Sequence, residues 1–277
     1  MTETPFSNPA HATAGVSDYL RQSLNLVLAP LMWVLSSLWL IDGGARSASD
    51  FSDMSENLLV PLGPAFSIWF PIFVGVIAYG VLQALPRNRT RTVFREVGWW
   101  TALGFAGVCG WGLITAYAPD NAVQWASALI FVPSVAALIV ATVKFTARVN
   151  AVTAAERLMS WWPISLIAGW CSLAVFLNWT PIAYDLFADR AANVTSSLLI
   201  LAAALGLIVW VCRRSYCNKV YVLPAVWGLA WLAVRHLLGE VESPAIGWAA
   251  IAGIFVLIGS ALAKPRVPIS GYDRMAG

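Results

Sequence analysis

The sequence is short of ionisable groups where chemistry inside a membrane would need them. Only 11% of its 277 residues are charged, against about 25% in a soluble domain. No acidic residue falls in the middle of any of its long apolar runs. Intramembrane proton relays are built from such groups, so the composition argues against a proton-driven pump. The three lysines, Lys144, Lys219 and Lys264, stand at the ends of runs. None is placed mid-span to form a retinal Schiff base. The two histidines are His11, in a polar tail, and His236, near the end of a run. They make neither a haem pair nor a metal site. Of the four cysteines, Cys109 and Cys171 lie inside apolar runs, and Cys212 and Cys217 flank a basic turn with a spacing unlike the common zinc motifs. They read as free thiols. Hydrolase motifs are absent, and no catalytic residue and no metal ligand is expected.

What the chain does have is length in apolar runs: 59% of its residues are hydrophobic. The central stretch is 61–86, PLGPAFSIWFPIFVGVIAYGVLQALP, in which the 22 residues 64–85 carry no charge. A bilayer span needs roughly 20 apolar residues. Aromatics and an internal proline, Pro71, crowd its start, and a proline there predicts a bend and a pocket wall. The whole chain reads as an all-α, polytopic bundle of about eight spans: 24–41, 64–85, 97–118, 122–143, 161–184, 194–212, 220–238 and 245–263. Residues 1–23 read as a disordered tail, and 42–63 as the longest and most acidic loop.

Charge placement predicts orientation. With the N-terminus inside, 14 of the 17 lysines and arginines fall in inner segments; Arg46, Arg190 and Arg235 fall outside. This predicts a multi-pass protein of the plasma or inner cell membrane with both termini cytoplasmic. The basic loop around RNRTR and Arg95 reads as a stop signal in contact with lipid headgroups. Nucleic-acid binding is a poor reading of so short a loop. The expected partners are the lipid bilayer and a lipophilic small molecule.

Fifteen tryptophans set the chain apart. Trp99, Trp100, Trp125, Trp161, Trp162, Trp210 and Trp248 stand near span ends, where indole favours the interface. Trp69, Trp111, Trp170, Trp179, Trp227 and Trp231 stand deeper. Each alone reads as packing; six together point to a pocket for a flat, apolar ligand. Asn178, deep in the fifth span, serves either helix–helix hydrogen bonding or the polar edge of a ligand. Gln83, Gln124, Ser67, Ser134 and Ser172 are weaker candidates of the same kind. Arg235 with Glu240 or Glu242 predicts an outer ion pair of little worth. Gly104, Gly107, Gly110 and Gly112 predict close helix packing in the third span, within the chain or at a dimer face.

The fifth span, WWPISLIAGWCSLAVFLN, resembles the last helix of the tryptophan-rich sensory protein family, also called translocator protein or peripheral benzodiazepine receptor. Trp170, Ser172, Ala174, Leu177 and Asn178 keep the spacing of its W-x-S-x-A-x-x-L-N run. Pro61, Gly63, Phe66, Ser67, Trp69 and Pro71 resemble its second-span segment, with Trp69 and Pro71 displaced. Trp111 stands where the third-span motif has its tryptophan, while Val108 and Gly112 replace the motif's Asn and Ser. The resemblance covers about five spans. It implies a five-helix unit over 24–185, with three added helices and a short tail over 186–277. It also implies a homodimer, a lid formed by loop 42–63, and porphyrin as ligand with no cofactor. Carried over residue by residue, the binding residues are Phe66, Trp69, Trp111, Trp170 and Asn178. The expected function is a receptor or transporter for a tetrapyrrole-class ligand, with a link to stress sensing. A structural or assembly protein without ligand is the alternative, and a porphyrin-degrading enzyme the second alternative.

Overall fold

The computed structural model describes residues 13–54, 57–184, 190–239 and 243–263. Among them the secondary structure is helical: α1 (Val16–Ser36), α2 (Ala48–Asp53), α3 (Trp69–Ala84), α4 (Thr92–Tyr117), α5 (Asp120–Ala147), α6 (Ala154–Met159), α7 (Trp161–Tyr184), α8 (Arg190–Arg214), α9 (Lys219–Leu237) and α10 (Pro244–Leu262). Among the described residues, seven segments are long and apolar enough to cross a membrane: Gly63–Ala84, Thr92–Tyr117, Ala122–Ala147, Ala154–Tyr184, Asn193–Arg214, Lys219–Leu237 and Pro244–Leu262. The chain is a multi-pass helical membrane protein.

The eighth long helix, α1, departs from the expected span 24–41. It starts earlier and ends earlier, because its polar residues find partners inside the bundle. Arg21, 1% exposed, donates to Gln83 Oε1 at 3.2 Å, to the Phe94 carbonyl at 3.1 Å and to the Arg89 carbonyl at 2.7 Å. Asn25 donates to the Gly98 carbonyl at 2.7 Å and accepts from Thr101 at 2.7 Å. Buried polar groups are tolerated when so paired. The helix packs against α3 and α4. Three basic-loop arginines read as headgroup contacts also pair within the chain. Arg95 meets Asp18 at 2.6 Å, Arg91 meets Glu156 at 2.7 Å, and Arg89 reaches Gln22 Oε1 at 2.9 Å.

The start of the second span also differs from the expectation. Residues Gly63–Ile68 form a 3-10 turn that runs into α3. Pro71 is the third residue of α3. A proline in a first turn removes an N–H that has no helical partner anyway. The expected proline bend is therefore replaced by a change of helix type ahead of it.

Helix α7 is central: it packs on α3, α5, α8 and α9. Its buried residues lie on every side, among them Ile164, Ile167, Trp170, Cys171 and Leu173, as a helix surrounded by others requires. One glycine sets the distance to α9. A Cβ on Gly169 would lie 1.9 Å from the Tyr221 carbonyl oxygen, so only a residue without a side chain fits. The third-span glycines Gly104, Gly107 and Gly110 face Leu138, Ser134 and Ile130 of α5; their close approach is made inside the chain. Asn218 caps α9, accepting from the Val220 and Tyr221 N–H groups, and donates to Ser165 of α7 at 2.9 Å. Tyr221 donates to Ser172 Oγ at 2.8 Å.

Substituting Gly169→Ala is expected to destabilise the protein by about 1–3 kcal/mol, the usual range for overpacking. Gly206→Ala, where nothing lies within 4 Å of the added carbon, is expected to be silent. Thermal unfolding of the two variants in detergent compares them directly.

Candidate functional site

At the end of the bundle opposite Arg21, a cavity of about 720 Å³, including its open mouth, lies between α3, α4, α5, α7 and the first loop. Phe66 and Trp69 line it from the 3-10 turn and the start of α3, Trp111 from α4, and Trp170 and Asn178 from α7. All five residues singled out from the sequence thus border one space. Phe66 and Trp69 both meet Trp170 edge to face, at centroid distances of 6.1 and 6.2 Å. Trp69 stacks on Phe73 at 5.2 Å, and Trp111 meets Phe131 at 5.5 Å. Offset stacks and edge contacts of this kind are the favoured arrangements of aromatic rings. They hold the wall in place.

The sequence missed most of the remaining lining. The first loop supplies Phe51, Ser52, Asn57, Val60 and Pro61, while α5 supplies Gln124 and Phe131. Of these, Pro61 carried a signal, as part of the second-span segment, and Gln124, as a polar residue in an apolar run; the rest of the loop was legible only as a lid over 42–63. The deep tryptophans Trp179, Trp227 and Trp231 are not part of the lining. Trp179 packs on Trp125 and Trp227 on Trp231. Among the described residues, none that lines the cavity is ionisable. Its polar groups are neutral amides and a hydroxyl. Among the described residues no three His, Cys, Asp or Glu side chains are placed to hold a metal ion.

Asn178 serves a helix–helix role. Its Oδ1 accepts from the Trp111 indole N–H at 2.9 Å, and its amide donates to the Ala174 carbonyl at 2.8 Å. One amide hydrogen and one lone pair are left over. Asn57 solves a different problem. Pro181 of α7 has no N–H for the carbonyl four residues earlier, that of Leu177. Asn57 donates to this carbonyl at 2.9 Å and accepts the Leu59 N–H at 2.9 Å. A loop side chain thus replaces a missing helical hydrogen bond.

The near end of the loop is held by Arg46. Its guanidinium donates to the Thr115 carbonyl at 2.9 Å, to the Ala118 carbonyl, and to Asp120 at 2.7 Å. These carbonyls end α4, where a cation also suits the helix dipole. The Gly44 backbone N–H and the Tyr117 hydroxyl hold the Asp42 carboxyl below its usual range. Ser47, the cap of α2, does the same for Asp50. The ion pair of Arg235 with Glu240 or Glu242 lies outside the described residues.

Replacing Asn57 by Ala leaves the Leu177 carbonyl without its donor, and a buried unpaired group of this kind costs about 1–3 kcal/mol. Pro181→Ala restores the helical N–H. The double variant N57A/P181A is expected to be more stable than the sum of the single effects. A double-mutant cycle by denaturant unfolding in detergent measures the difference.

No curated protein and no solved structure matches the chain. A family model described as TSPO-like protein matches residues 22–263. That match takes in α8, α9 and α10 as well as the helices around the cavity. The protein belongs to the TSPO-like protein family.

Proposed function

We propose that the protein is a membrane receptor or carrier that holds a flat lipophilic ligand, of the tetrapyrrole class, in the cavity between α3, α4, α5 and α7. The observation that carries this reading is one space bordered by Phe66, Trp69, Trp111 and Trp170, with Asn178 at its edge and no ionisable group among the described lining residues. Aromatic faces complement a planar ring system. The neutral lining leaves any carboxylate on the ligand to the mouth of the cavity, because a buried unpaired carboxylate is strongly disfavoured.

The test is a tryptophan-fluorescence titration of the detergent-solubilised protein with protoporphyrin IX. An unrelated tryptophan-containing membrane protein serves as control for inner-filter and micelle effects. Saturable quenching is expected, weakened by Trp170→Phe and by Asn178→Ala. Linear quenching identical in both variants and in the control protein would remove this reading.

A second reading is a structural protein without ligand. The bonds that Asn178 makes to Trp111 and Ala174 favour it, since they leave little of the amide for a guest. It predicts that changes at Trp170 and Asn178 alter thermal stability alone.

We also place the protein in the plasma or inner cell membrane with the Arg87 end of the bundle cytoplasmic, on the excess of arginine and lysine at that end. Ile41 is 81% exposed at the opposite end, and Arg87 is exposed. An impermeant thiol reagent applied to intact cells is expected to label I41C and to spare R87C. The reverse pattern would invert the assigned orientation.

A further inference from the structure

The loop segment 58–65 borders the cavity through Val60 and Pro61, with Phe66 just beyond it. Helix α9, the middle one of the last three, reaches this segment with three side chains. Trp227 Nε1–H donates to the Ala65 carbonyl at 2.9 Å, and Arg235 donates to the Val60 carbonyl at 2.6 Å. His236 Nε2 lies 2.6 Å from the Leu58 carbonyl. A carbonyl only accepts, so this nitrogen carries the proton. From α7 the Tyr184 hydroxyl accepts the Leu58 N–H at 3.1 Å, and it meets Ser197 of α8 at 2.5 Å.

At 3.6 residues per turn, position 235 lies about 80° around the helix from 227 and position 236 about 180° from it, so the segment is met from more than one side of α9. Trp231, one turn from Trp227, packs its ring on that indole at 5.6 Å. Three side chains of α9 therefore hold three carbonyls of the segment that borders the cavity. The grip is polar and directional, and it comes from outside the helices that build the cavity walls.

We propose that α9 is the latch of this cavity: Trp227, Arg235 and His236 are positioning residues that hold segment 58–65 closed, and a ligand exchanges when the segment lifts from α9. The proposal rests on the reading of the cavity as a binding site, and it assigns a task to the C-terminal helices. Loss of one neutral bond to the segment raises the open fraction by about fivefold, and loss of the charge-assisted bond from Arg235 by about tenfold or more.

The experiment reads access to the cavity without a ligand. Ala174 lines the cavity from α7, so A174C places a thiol inside it. The four native cysteines are buried, and the parent chain supplies their background. The rate of A174C labelling by a small maleimide is measured on the full chain in detergent. Added to A174C, Trp227→Phe is expected to raise that rate by about fivefold, and Arg235→Met by about tenfold. Arg235→Lys keeps a charged donor and is expected to stay near the parent rate. Trp248→Phe, at a position 63% exposed on α10, controls for general loosening. Should Arg235→Met lower the unfolding temperature sharply, Trp227→Phe and Arg235→Lys decide the matter.

Unchanged labelling in Trp227→Phe and Arg235→Met overturns the latch, and so does an equal rise in Trp248→Phe. A second arm follows protoporphyrin IX quenching in time. The latch predicts that association and dissociation both quicken in Arg235→Met, with the equilibrium constant moving less than either rate. Absence of quenching in the parent would remove the binding reading, while the labelling rates would still judge the latch.

Discussion

A backbone carbonyl surrounded by hydrocarbon must find a donor, because no water is there to supply one. Much of what distinguishes this bundle follows from that constraint. Helices meet it internally except where proline removes an N–H or where the chain leaves the helix. Pro181 opens one such gap at Leu177, and Asn57 fills it. The end of α4 opens others, and Arg46 fills them. The segment beside the cavity, a loop that runs into the 3-10 turn, presents the carbonyls of Leu58, Val60 and Ala65, and α9 meets each with a side chain. A loop at this depth is tolerated because protein surrounds it, not lipid.

The same rule explains the opposite end of the bundle. An arginine buried as fully as Arg21 is costly unless its donors are used. The Phe94 and Arg89 carbonyls and Gln83 take its two terminal nitrogens, while its Nε has no hydrogen-bond partner. Arg21 thus ties α1 to two neighbours at once. Asp18 stands 3.6 Å from it and also pairs with Arg95. Exposed ion pairs contribute little; this set gains its value from burial.

These arrangements mark what was legible in the sequence. Length and hydropathy located seven spans to within a few residues, since each is a local property of the chain. They misplaced α1, because a hydropathy window counts Arg21, Gln22 and Asn25 against a span without knowing their partners. The five aromatic and amide residues of the cavity were legible from spaced motifs inside single helices. Asn57 and His236 were not. Their partners lie 120 and 178 residues away, and no periodicity encodes a contact at such separation. Asn178 was legible as a site residue, but its partner, the Trp111 indole, was not.

The grip of α9 on the loop depends on where α9 itself is held. At its far end the helix is docked on α7 in three ways: Tyr221 closes against Gly169, Asn218 bonds Ser165, and the Tyr221 hydroxyl bonds Ser172. From there to Arg235 the helix runs fourteen residues, which is about 21 Å at 1.5 Å per residue. It spans the depth of the bundle and delivers its last turn to the loop. Because α7 also carries Trp170 and Asn178, one helix positions both the wall of the cavity and the helix that holds its cover. A shift of α9 against α7 would move the donors of Arg235 and His236 relative to the Val60 and Leu58 carbonyls. Hydrogen bonds weaken steeply with such misalignment. The close packing at Gly169 therefore bears on the cavity from the other end of the bundle, through the length of one helix.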